Sequence, residues 1–135
     1  MQLYAWQYSL ALIVFLIIDA IWLSTAGRTI YMSEIGALLR ERPNFAVALA
    51  FYMIFVAGLV IFVIHPALIA GSIAQAIYMG ALFGLVCYAT YDLTNLSTIK
   101  GFTPLIAVVD MVWGAVLSAS VSAVTLLVIR YFKIG

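Results

Sequence analysis

The sequence predicts an all-α bundle of four membrane-spanning helices with a short amphipathic interfacial helix in the first loop. Three observations carry that prediction. The 135 residues are 67% hydrophobic and only 8% charged, whereas soluble domains carry roughly 25% charged residues. Four apolar stretches each reach the roughly 20 residues needed to cross about 30 Å of hydrocarbon. All four are continuously apolar rather than alternating, which favours helices over barrel strands, the two structures that satisfy their backbone in lipid.

The expected spans cover residues 3–25, 44–64, 72–91 and 104–131 of a single integral membrane domain, 1–135. The first has an unbroken apolar core from Leu10 to Ile18. It carries Asp19 and lacks a basic leader, so it reads as a retained span rather than a cleaved signal. Tyr4, Trp6 and Tyr8 at its start, with Tyr131 and Phe132 at the far end of the chain, read as interfacial anchors. In the first connection, residues 33–42 read as an amphipathic surface helix, with Ile35, Leu38 and Leu39 on one face and Arg40, Glu41 and Arg42 closing it. Pro43-Asn44 opens the second span, and His65-Pro66 is expected to end it in a tight turn, with His65 capping at the outer surface. Thr103-Pro104 reads as an N-cap followed by proline at the first position of the fourth span.

Charge sets orientation and excludes partners. Loops one and three hold Arg28, Arg40, Arg42 and Lys100, against Arg130 and Lys133 on the other side. The positive-inside rule therefore puts loops one and three in the cytoplasm and both termini outside, with dual-topology insertion as the alternative. A formal charge of +1 offers no field for nucleic acid. The lone Cys87 excludes a disulfide framework or a thiolate-rich metal site and reads as packing. Ala76, Gly80 and Gly84 in the third span, and Gly114, Ser118 and Ser122 in the fourth, form small-residue stripes for close packing, against each other or against a second copy.

Three of the five acids, Asp19, Asp92 and Asp110, lie in or at the end of a span. A central Asp costs roughly 2.5–3.5 kcal/mol on the insertion scale, so such residues face the interior, pair or line a cavity. Threaded through antiparallel spans, all three fall at the loop-one and loop-three end. Asp19-x-x-Trp22 and Asp110-x-x-Trp113 repeat one pattern, with acid and indole on one helix face. Should the third helix continue, Tyr88, Asp92 and Asn95 share a face. The expected site is a polar cup. Asp19, Asp92 and Asp110 are its acid–base or proton-binding candidates, and Trp22, Arg28, Tyr88, Thr94, Asn95, Thr98, Lys100 and Trp113 are its binding residues. Clustered carboxylates in a poorly solvated site suit proton exchange, and the indoles offer a cation–π surface. Against this stands a purely structural role, with Asp92 paired to Lys100 and Asp19 to Arg28. Neither a cofactor nor a metal centre is expected.

At these residues the chain resembles a family of short bacterial membrane proteins, domain of unknown function 2177. The resemblance covers nearly the whole chain. It rests on Asp19-x-x-Trp22, the stretch from Tyr91 to Thr98 with Lys100, and Asp110-x-x-Trp113-Gly114. It implies a four-span protein of the bacterial inner membrane with no assigned activity. It also implies proximity to lipid-modification and oxidative-stress genes, hence binding or modification of a lipid in a stress response, with membrane lipids as partners. Two alternatives stand beside that reading. One is a small proton-coupled multidrug-type transporter, as a homodimer. The other is an accessory subunit of a larger membrane complex.

Overall fold

A computed structural model describes residues 1–134. Among them there are helices and no strands. Helix α1 covers Gln2–Ser24 and α2 covers Ala26–Ile35, followed by a 3₁₀ turn, Gly36–Leu38. Helix α3, Phe45–Leu59, passes through one π turn, Val60–Ile64, into α4, His65–Ala70. Helices α5, Ile73–Thr98, and α6, Pro104–Tyr131, complete the chain. Four rods are long and apolar enough to cross a membrane: α1, the continuous Phe45–Ala70, α5 and α6.

Local chemistry fixes the helix starts. The Asn44, Ser72 and Thr103 side chains accept hydrogen bonds from the N–H groups of Val47, Gln75 and Ile106, at 3.3, 3.0 and 3.2 Å. Each cap satisfies a donor that a helix start leaves without a partner. Gly71, at φ +66°, closes the turn between the second and third spans. That left-handed conformation costs glycine nothing.

Three boundaries depart from the sequence reading. The second span does not end at His65-Pro66 but runs on to Ala70. Pro66 has no N–H and its ring would clash with a carbonyl one turn back. The wider π turn just before it absorbs the conflict, with the His65 N–H bonded to the Val60 carbonyl. The third span continues to Thr98 rather than stopping at 91, and within its last turn the hydroxyls of Ser97 and Thr98 bond back to the Thr94 carbonyl. The first-loop helix lies at Ala26–Ile35, ahead of the expected 33–42. The Thr25 hydroxyl bonds the Ile21 carbonyl, and the chain resumes as helix immediately after the break. Ile30, Tyr31 and Ile35 then pack on Phe102, Ile106 and Leu96, so α2 lies over the bundle.

Two kinds of packing hold the spans. Ala11, Phe15, Phe55, Val56, Leu59, Val63, Ile64, Leu117 and Val121 form a buried core between α1, the second span and α6. Between α5 and α6 the contact is closer. A Cβ on Gly80 would lie 2.9 Å from the Ser118 carbonyl oxygen, and one on Gly84 would collide with the Gly114 carbonyl. The stripes thus face each other, and small residues let the backbones approach where lipid provides no hydrophobic drive.

Gly84→Val should therefore destabilise the bundle by about 1–3 kcal/mol, the range for overpacking. Gly36→Ala, whose added carbon meets only the Met32 methyl at 3.9 Å, should leave stability unchanged. Thermal unfolding in mild detergent measures both; equal midpoints for the two variants would contradict the close α5–α6 contact.

Candidate functional site

The three membrane acids lie at one level. Asp19 is five residues from the end of α1, Asp92 six from the end of α5, and Asp110 six from the start of α6. At about 1.5 Å per residue this places each roughly 7–9 Å inside the same end of the bundle. Extension of α5 to Thr98 is what takes Asp92 inside, instead of leaving it at the rim.

Asp19 is held by two donors from other helices. Trp113 Nε1 of α6 donates to Oδ1 at 3.2 Å, and the Tyr52 hydroxyl of α3 donates to Oδ2 at 3.0 Å. Asp110 accepts from the Tyr31 hydroxyl of α2, which itself accepts from Trp22 Nε1 at 3.2 Å. Burial, and then the neighbouring Asp110 carboxylate, push the Tyr31 hydroxyl well above its ordinary range. It keeps its proton and acts as a fixed donor. The indoles of Trp22 and Trp113 stack, with centroids 4.5 Å apart and planes 10° from parallel. Gly27 makes room for this stack, since any side chain there would strike the Trp22 indole. The two Asp-x-x-Trp elements therefore interlock: Trp113 of one donates to Asp19 of the other, while Trp22 reaches Asp110 through Tyr31.

Asp92 differs. It is completely buried, and neither carboxyl oxygen has a hydrogen-bond partner. Asp110 is its acidic neighbour, and both line a groove of about 1080 Å³ at the loop end. Leu23, Met32, Ile35, Phe102 and Ile106 give the groove apolar walls, and Arg28 and Arg40 stand at its exposed rim. A second pocket, about 340 Å³, lies between α3 and α5, lined by Ala48, Phe51 and Tyr52 on one side and Cys87, Tyr88 and Tyr91 on the other. Asp19, Asp110 and Trp113 reach it from α1 and α6, and Tyr31 and Asp110 border both cavities. Phe51 and Tyr91 flank the slot and are exposed on the outer face of the bundle.

The structure thus brings together Asp19, Trp22, Tyr88, Asp92, Asp110 and Trp113, with Arg28 at the rim. It does not bring in Thr94, Thr98 or Lys100, which are exposed on the outer part of α5 and the turn after it. Asn95 is half-buried beside Tyr91 and borders neither cavity. Asp19 takes its bonds from Trp113 and Tyr52 rather than from Arg28. Among the described residues no three His, Cys, Asp or Glu side chains are grouped to hold a metal ion. Sequence reasoning missed Tyr31 and Tyr52. Tyr52 had a signal, a hydroxyl seven residues into an apolar helix at the level of the acids; Tyr31 had none until α2 was seen to fold back.

At the opposite end, His65 also departs from expectation. His65 lies inside the continuous second span, where its Nδ1 accepts from the Gln7 amide at 2.9 Å and its ring stacks on Tyr4 at 4.2 Å. It ties two spans together instead of capping one.

Tyr31→Phe should cost about 1–3 kcal/mol, because it strips a donor from Asp110 and an acceptor from Trp22 in a buried setting. Loss of the fixed indole stack should also shift the tryptophan emission, and an unchanged spectrum with unchanged stability would refute the network.

The sequence pattern of a family described as "Predicted membrane protein (DUF2177)" matches residues 4–127, and no curated protein and no solved structure matches the chain. The chain belongs to that family, which is one of membrane proteins of unknown function.

Proposed function

We propose that this member of the family binds the polar head of a membrane amphiphile in its carboxylate-floored groove, and that the occupant is a lipid. One observation carries the reading: Asp92 is fully buried against the floor of a cavity, and beyond the neighbouring Asp110 carboxyl no N–H or hydroxyl donor of the protein reaches its oxygens. A carboxyl removed from water without donors is costly, whereas a ligand supplying N–H or O–H groups satisfies it. Asp110 offers a second acceptor beside it. Asp19 has both oxygens engaged and acts as a positioning group, fixing Trp113 at the pocket wall.

Access supports a lipid over a water-soluble ligand. The slot between α3 and α5 opens beside Phe51 and Tyr91, at the level of the acids. Apolar chains can lie along that slot while the head reaches inward past Tyr31 and Asp110. Orientation by the positive-inside rule then draws the lipid from the cytoplasmic leaflet of a bacterial inner membrane. The lipid reading extends to a role under oxidative stress, for which the implied gene neighbourhood is the support.

Purified in mild detergent and examined by native mass spectrometry, the wild-type chain should retain lipid. Asp92→Asn keeps the shape but loses the carboxylate, and should weaken retention about 10- to 100-fold, the effect of a hydrogen bond to a charged group. Equal retention by the two would remove the reading. A deletion strain whose lipid profile is unchanged under oxidative stress would remove the stress role. Transport of a soluble cation abolished by Asp92→Asn, with no lipid retained, would favour the transporter instead.

A further inference from the structure

The groove is electrically divided. Asp92 and Asp110 form its deep end, while Arg28 and Arg40 stand on the exposed rim with Glu41 beside them. Arg28 lies in the first turn of α2, and Arg40 follows the 3₁₀ turn. Helix α2 is pinned over the bundle by Ile30, Tyr31 and Ile35, so its guanidinium is held on the same side as the acids. Apolar side chains, among them Leu23, Ile35, Phe102 and Ile106, separate the two charged zones.

A purely anionic head would be attracted to the rim and repelled by the floor; a purely cationic head would meet the reverse. A zwitterion matches both. Asp92 adds a second condition, since its oxygens meet only the Asp110 carboxyl and receive no N–H or hydroxyl donor from the protein, and N–H groups satisfy them where positive charge alone does not. A quaternary ammonium has none to give. Guanidinium groups, for their part, suit the oxygens of a phosphate.

Building on the groove reading above, we propose that the head group is a phosphate ester bearing a primary ammonium, its phosphate on Arg28 and Arg40 and its ammonium on Asp92 and Asp110. The same chemistry occurs in an aminophospholipid and in free phosphoethanolamine, and the side slot selects the lipid.

The test uses the full chain in nanodiscs of defined composition, with bound lipid identified by native mass spectrometry. Phosphatidylethanolamine should be enriched about tenfold over phosphatidylglycerol and over phosphatidylcholine. Asp92→Asn should bring the ethanolamine-to-choline preference close to one. The rim variant R28Q/R40Q changes only exposed residues, so folding is not at risk. It should weaken phosphatidylethanolamine about tenfold yet leave a long-chain primary amine without phosphate bound as in wild type. Free phosphoethanolamine at matched concentration should not displace the lipid; displacement would overturn the lipid source. Equal retention of all three lipids, or a preference for phosphatidylglycerol, would overturn the head-group assignment while leaving the groove reading intact. Retention of no lipid would overturn the groove reading itself.

Discussion

Polar groups placed in hydrocarbon must find their partners inside the protein, because the surroundings provide none. In this bundle that requirement determines which helices are tied together. Asp19 draws one donor from α3 and one from α6, and Asp110 draws one from α2. Trp22 completes the circuit from α1 through Tyr31 and through its stack on Trp113. Apolar packing alone distinguishes poorly between a neighbouring helix and a lipid tail. Two aspartates and their tyrosine and indole donors thus specify one arrangement of α1, α2, α3 and α6 at this end. Against that background Asp92 is an exception in chemical terms, since it is more deeply buried than Asp19 or Asp110 and no hydroxyl or indole donor reaches it.

Packing is uneven, and the unevenness coincides with the acids. Helices α5 and α6 meet over glycines with no space for a side chain, whereas α3 and α5 meet through large rings, Phe55 on Phe83 and Tyr88. Rings bridge a wider gap than glycines do, and on the loop side of those rings the gap is a pocket. A close seam on one side of the α5 helix and a ring-spaced seam on another leave Asp110 bordering the slot, while Asp92 borders the larger groove at the loop end. The lateral slot is therefore a product of residue size along α5: Gly80 and Gly84 face α6, Phe83 and Cys87 face the second span, and the Tyr88 ring lies over Gly114 of α6 while also meeting Phe55.

Much of this was legible in the sequence. Span length, hydropathy and antiparallel threading were enough to place Asp19, Asp92 and Asp110 at one end, since depth along a helix is simple arithmetic. The Asp-x-x-Trp repeat identified both indoles of the stack for a similar reason, because spacing of three fixes a shared face. What was not legible depends on contacts between distant segments. Arg28 and Lys100 looked like natural partners for acids, yet hydroxyl and indole donors already inside the bundle fill Asp19 without exposing a cation to lipid. Thr94 and Thr98 looked like cup residues because they follow Asp92, but offsets of two and six residues along a helix turn a side chain to another face. Tyr31 could not be assigned, because nothing local says that α2 folds back over α6 rather than lying on the membrane.

The π turn before His65 shows how local strain and long-range pairing can agree. Three side-chain hydrogen bonds join α1 to the second span: Asp19 with Tyr52, Tyr8 with the Met53 carbonyl, and Gln7 with His65. Between the Asp19–Tyr52 and Gln7–His65 contacts α1 uses twelve residues, while the second span uses thirteen. Two regular antiparallel helices of equal rise would fall out of step by one residue over that distance. A π turn contains one residue more than an α turn, and the turn at Val60–Ile64 falls between the two contacts. Pro66 disfavours regular helix just where the surplus residue has to be absorbed. The π turn is thus the device that keeps the span continuous across a proline that reads in sequence as its end. It also lets Tyr52 reach Asp19 while His65 stays on Gln7, and so supports the donor arrangement around Asp19.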